Sequence, residues 1–96
     1  MTRSDIDLPR DAAPVRRTPS FTAASMPPAL GRAHLTSVWA ELVVEKGSVL
    51  FADENSRRVT VSAGSRLVIV PRVSHHIEPA DDAVFHVQFY KSETGS

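Results

Sequence analysis

The chain has 96 residues, with 11 Lys and Arg against 11 Asp and Glu, and it contains no cysteine. This length predicts one small domain and excludes a Rossmann or TIM-barrel enzyme. The lack of cysteine excludes a disulfide scaffold, a thiol nucleophile and an iron–sulfur site, and it fits the cytoplasm, where we expect the protein. The balanced charge argues against nucleic acid as a partner, and no apolar run is long enough to predict a membrane span.

Residues 1–20 differ in composition from the rest of the chain. They include Pro9, Pro14 and Pro19, and their apolar residues are scattered without a period of 2 or 3.6. Such a segment buries too little apolar surface to offset the entropy of ordering it. We therefore expect a flexible N-terminal arm over 1–20, a folded domain over 21–91 and a loose C-terminal end over 92–96.

The folded part reads as a series of strands separated by turn residues. The predicted strands cover residues 38–45, 48–52, 58–62, 66–70, 74–78 and 84–90. Gly47 follows the first of them and predicts a tight hairpin, because glycine readily takes positive φ. Residues 27–33 hold two prolines and a glycine, so we expect a turn there rather than a helix. Short, evenly spaced strands are typical of an all-β sandwich or barrel, and so small a barrel favours a homodimer.

Four histidines are the chemically conspicuous residues, and imidazole is a frequent ligand for zinc, iron and nickel. The histidines are His34, His75, His76 and His86, and the oxygen donors that could complete a site with them are Glu41, Glu78 and Gln88. Neighbours in a strand face opposite sides, so only one of His75 and His76 can point into a barrel. A site of two or three histidines, an oxygen donor and a water would be of the open type. Ordinary surface or hydrogen-bonded histidines are the alternative.

Two runs resemble the cupin motifs. Residues 64–79 begin with a turn glycine, continue through a strand to Pro71 and place His75 four residues later, which resembles the second motif. The run His34-Leu-Thr36-x4-Glu41-x5-Gly47 resembles the first, with Thr36 in the place of a second histidine.

The order of the motifs further resembles the TehB/YeaR-like family, which consists of small cupin-type domains labelled tellurite-resistance-like. The resemblance covers residues 21–91, and Gln88 stands where the family has an acidic residue. The matching positions are Pro28, Leu30, His34, Thr36, Val38-Trp39, Lys46-Gly47, Pro71, His75, Ile77-Glu78 and Phe85-x-x-Gln88-Phe89-Tyr90.

The resemblance implies a small cupin-like double-stranded β-helix, that is, a jelly-roll barrel, with a divalent metal inside and a dimeric assembly. On this interpretation His34 and His75 bind zinc, iron, nickel or manganese. His86 or Gln88 supplies a third ligand and Glu41 a fourth, and a small molecule or an oxyanion takes the open position. Two alternatives stay open: a metal-dependent cupin enzyme, and a metal-free structural or interaction barrel with incidental histidines.

Overall fold

The computed structural model describes residues 6–92, and it confirms the all-β prediction. The strands are β1 Ala13–Arg17, β2 Phe21–Thr22, β3 Ala40–Lys46, β4 Ser48–Asp53, β5 Arg58–Ser62, β6 Arg66–Ile69, β7 His75–Pro79 and β8 Val84–Lys91. Each of the six predicted strands lies within two residues of its expected bounds. A single 3-10 turn, Pro28–Gly31, is the one helical element in this part of the chain. No helix within residues 6–92 is long and apolar enough to cross a bilayer.

The strands form two antiparallel sheets that pack face to face. The larger sheet has the order β1-β8-β3-β6, with β2 also paired to β8, and the smaller sheet has the order β5-β4-β7. From β3 onward the chain crosses between the sheets at every connection except that between β4 and β5. This alternation is the jelly-roll arrangement that we predicted, built as two packed sheets rather than as one closed barrel.

The core lies between the inner faces of the two sheets. Its large, fully buried side chains are Leu42, Val44, Val49, Phe51 and Phe85. They come from alternate positions of β3, β4 and β8, because successive side chains of a strand point to opposite faces. Full burial of one such side chain stabilises the fold by roughly 1.5–3 kcal/mol.

The predicted hairpin at Gly47 is wrong, although the predicted backbone conformation is right. Gly47 has a φ of 67°, but β3 pairs with β6 and β8 while β4 pairs with β5 and β7. Gly47 therefore turns the chain from one sheet to the other. A Cβ on this residue would lie 2.6 Å from Oδ1 of Asp82 and 3.0 Å from Cα of Ala83, so the corner packs tightly against the turn before β8.

The N-terminal arm differs from the expectation of a flexible segment over residues 1–20. Residues 13–17 form β1, which pairs with β8, and the amide of Thr18 donates to the carbonyl of Val87 at 2.9 Å. All five side chains of β1 are exposed, so hydrogen bonds rather than burial fix the strand. At the other end, Ser92 Oγ donates to Asp11 at 2.8 Å. Residues 1–5 and 93–96 lie outside the described residues.

Candidate functional site

A cavity of about 60 Å³ lies between the two sheets. A single water needs roughly 10–15 Å³ of cavity volume, so the cavity has room for several water-sized groups. Its lining residues are Thr18, Leu30, His34, Thr36, Leu42, Ile69, His75, Ile77, Val87 and Phe89. The lining is mostly apolar, its polar side chains are two histidines and two threonines, and none of these described residues is acidic.

Backbone pairing brings His34 and His75 together at this cavity. His75 is the first residue of β7, and its side chain shares the inner face with Ile77. The amide of His34 donates to the carbonyl of His75 at 2.9 Å, and the amide of His75 donates back at 2.7 Å. The two ring centroids are 4.4 Å apart, with the ring planes inclined by 59°. The two histidines that we expected to share a site therefore lie side by side.

Both imidazoles are held in the same tautomer. Nδ1 of His34 lies 2.9 Å from the carbonyl oxygen of Arg32, and Nδ1 of His75 lies 3.0 Å from that of Val73. A carbonyl oxygen only accepts, so each Nδ1 carries a proton, and in the neutral ring the free lone pair is on Nε2. Neither Nε2 has a hydrogen-bond partner among residues 6–92. Histidines that bind metals are commonly oriented in this way by a backbone carbonyl.

His75 lies deeper than His34 and contacts two rings, those of His34 and Phe51. The ring of Phe51 stacks on it with centroids 5.3 Å apart and planes inclined by 25°. Burial lowers the pKa of His75, and the proximity of His34 lowers it further, against the opposing effect of the hydrogen bond to Val73. The imidazole of His75 is therefore neutral near pH 7, which is the form that binds a metal.

The other predicted ligands do not reach this cavity. Glu41 alternates with the buried Leu42 in β3, and His86 and Gln88 alternate with the buried Val87 in β8. Their side chains therefore lie on the outer face of the larger sheet, and the five-residue ligand set does not form. Residues 6–92 contain no group of three or more His, Asp or Glu side chains placed to hold a metal. Metal binding by His34 and His75 stays a prediction.

The three outer residues have partners of their own. Glu41 accepts hydrogen bonds from the hydroxyl of Tyr90 at 2.5 Å and from Arg66 at 2.9 Å. Nδ1 of His86 lies 2.6 Å from a carboxylate oxygen of Glu45. The side-chain amide of Gln88 donates to the carbonyl of Arg16 at 2.8 Å. These contacts tie β3, β6, β8 and the arm together.

The adjacent histidines of β7 face opposite sides, as we expected. His76 is half-buried, and its Nε2 lies 3.0 Å from a carboxylate oxygen of Glu78 on the outer face of the smaller sheet. Glu78 therefore stands beside His76 and away from His75. This pair provides a matched reference for experiments on the cavity histidines.

Thr18 is a lining residue that the sequence did not indicate. Its Oγ1 accepts from the amide of Val87 at 3.0 Å and donates to the carbonyl of Pro19 at 2.9 Å. The N-terminal arm thus forms part of the cavity wall. No signal in the sequence of residues 1–20 pointed to this contact, because it depends on backbone pairing with β8.

Solved structures share this fold. A protein from Escherichia coli strain K12 matches with a TM-score of 0.85 and 22% identity, over 95% of this chain and 92% of that one. TehB from Haemophilus influenzae matches with a TM-score of 0.75 and 23% identity, over 84% of this chain and 32% of TehB. A cupin family protein with a double-stranded β-helix fold from Methanocaldococcus jannaschii matches with a TM-score of 0.57 and 14% identity, over 93% of this chain and 91% of that one. These likenesses define a small cupin-like domain.

The family is shown by sequence. A profile of the TehB-like domain matches residues 16–87, most of the chain, and the chain belongs to the TehB-like domain family. The resemblance read from the motifs is thereby confirmed. The chain spans about a third of TehB from Haemophilus influenzae. A comparison with curated proteins gave no significant match.

Proposed function

We propose that this TehB-like domain binds a divalent metal through Nε2 of His34 and of His75, and that the bound metal holds a small oxyanion. The observation that supports it is the shared tautomer. Two backbone carbonyls accept from the Nδ1 atoms, which leaves Nε2 of each neutral ring to bind a metal. Both side chains line the same cavity. Neutral imidazole suits zinc, iron and nickel, and the open positions of such a metal are available to a ligand.

The charge of the lining favours an anion as that ligand. Two neutral imidazoles leave the full charge of a divalent cation uncompensated, and no acidic side chain lines the cavity in the described part of the chain. An anion alone would meet walls such as Leu42, Ile69 and Val87, where an unpaired charge is costly to bury. We therefore expect oxyanion binding to depend on the metal.

The first experiment measures metal content. The purified chain is incubated with zinc, iron, nickel or manganese, dialysed and analysed for bound metal. We expect near-stoichiometric metal in the wild type and a loss in H34A and in H75A. H76A is the control, because His76 belongs to the same strand but pairs with Glu78 on the other face.

The second experiment measures the anion. Phosphate and tellurite are titrated calorimetrically into metal-loaded and metal-free protein, and we expect heat of binding with the loaded form alone. Equal metal content in the wild type, H34A and H75A would overturn the assignment of these ligands. A wild type that takes up none of the four metals would leave the structural barrel as the better interpretation.

A further inference from the structure

The neighbouring arginines of β1 point to opposite sides of the larger sheet. Arg17 reaches the outer face, where Nη2 lies 3.8 Å from the carboxylate of Glu45 and donates to Ser20 at 3.2 Å. The guanidinium carbon of Arg16 lies instead 4.3 Å from the centroid of the Phe89 ring. Phe89 lines the cavity, and so does Thr18, two residues after Arg16. The exposed side chain of Arg16 is not part of the lining, but it lies against a residue that is.

The guanidinium of Arg16 keeps its hydrogen-bonding capacity. Within residues 6–92 its side chain makes no ion pair and no hydrogen bond, and its contact is with the face of Phe89. A guanidinium over an aromatic ring is attracted by the ring electrons, while its N–H groups are not used by that contact. The planar arrangement of these donors matches two oxygens of an oxyanion, which a lysine does not reproduce.

Hydrogen bonds at Arg16 and at Thr18 fix this part of the backbone beside the cavity wall. Arg16 is the register partner of Phe89, and its carbonyl accepts from the side chain of Gln88 at 2.8 Å. Two residues later, Thr18 and Val87 exchange hydrogen bonds of 2.9 and 3.0 Å. The position of the charge relative to the cavity is therefore set by the pairing of the arm with β8.

We propose that Arg16 is the anion-recognition residue of this cavity and that it selects oxyanions with at least two oxygens free to accept from its guanidinium. The inference rests on the proposed function, since the ligand it recognises is the one held by the metal. The histidines provide the metal ligands, and Arg16 supplies the charge that the lining itself lacks. The N-terminal arm, whose apolar residues show no period, thus takes a direct part in ligand binding.

The test compares R16Q with R17Q, which removes the neighbouring charge from the opposite face. Zinc content and the affinity for inorganic phosphate are measured at several salt concentrations. We expect R16Q to keep its zinc, to bind phosphate at least about tenfold more weakly and to show a smaller salt dependence. R17Q should stay within about twofold of the wild type. R16K should recover only part of the affinity, because it restores charge without the planar donors.

The possible failures are distinguishable. A wild type that binds zinc but shows the same phosphate affinity as R16Q would overturn the role of Arg16 and leave the metal site intact. Equal losses in R16Q and R17Q would also overturn it, because the effect would then follow total charge rather than position. A wild type without zinc would overturn the proposed function and this inference with it.

Discussion

His86 and Glu45 face each other across the outer surface of the larger sheet, with Nδ1 of the imidazole 2.6 Å from Oε2 of the carboxylate. Glu45 is the extra residue at a bulge between β3 and β8, where the register shifts between Val44 and Lys46. The same oxygen accepts from Ser20 Oγ at 2.7 Å. One carboxylate therefore joins the central strands to the segment that follows β1.

This carboxylate should make stability depend on acid pH. The hydrogen bond from Ser20, followed by that from His86, lowers the pKa of Glu45 below its ordinary 4.5. Its contribution is therefore present above pH 4.5 and is lost as the pH falls through the lower pKa of the folded state. We expect E45Q to cost less than about 1 kcal/mol at pH 7, since the group is exposed. Urea unfolding from pH 3 to 7 should show a shallower acid loss in E45Q than in the wild type.

Glu41, on the same outer face, should make stability depend on alkaline pH through its hydrogen bond with Tyr90. Burial, and next the hydrogen bond to Glu41, raises the pKa of Tyr90 above 10.0. Its contribution is present below pH 10.0 and is lost as the pH rises through the higher pKa of the folded state. We expect Y90F to lower the free energy of unfolding by about 1–3 kcal/mol at pH 7, because a bond to a charged group is lost. Unfolding measured from pH 8 to 11 should show that Y90F also loses the alkaline dependence; an unchanged dependence would assign it to other groups.

The strands were predictable because their apolar residues alternate, but their partners were not. Val44 and Val49 flank Gly47 and both belong to the core, so the pattern is the same for a hairpin and for a corner between sheets. The choice between a hairpin and a corner depends on which strands pair with β3. Those strands are β6 and β8, which lie far along the chain. β1 was missed for a different reason, since its side chains are all exposed and leave no period to detect.

The candidate site was predictable only in part. Alternation correctly separated His75 from His76, and the same rule, applied to β8, would have placed His86 and Gln88 outside once Val87 was taken as core. The polar side chains of His86 and Gln88 suggested a metal site, although their alternation with Val87 argued against it. The proximity of His34 to His75 rests on an isolated backbone pairing, which spacing does not reveal. The expected homodimer stays a prediction.

Thr18 should control how firmly the arm is held to β8. Its Oγ1 is the acceptor for the amide of Val87, which points toward the arm. In T18V the shape of the side chain is kept and that acceptor is lost, so the Val87 amide should exchange with solvent faster. Amide hydrogen exchange measured by NMR would test this. The amide of His75 is the internal reference, because its partner is the carbonyl of His34 at 2.7 Å. Equal acceleration at both amides would indicate a general loss of stability instead.

The two turn glycines provide a matched test of the corner between the sheets. Both have positive φ, 67° at Gly47 and 87° at Gly64. An alanine at either position therefore costs roughly 1–2 kcal/mol, because a residue with a Cβ is strained in the left-handed region. The surroundings differ, because an added Cβ at Gly64 meets no atom within 4 Å. At Gly47 it would lie 3.0 Å from backbone of Ala83, which has no room to move without shifting the turn before β8. We therefore expect G47A to be less stable than G64A by at least about 1 kcal/mol in urea unfolding. Equal losses in the two variants would mean that the corner relaxes freely and that close packing does not require glycine there.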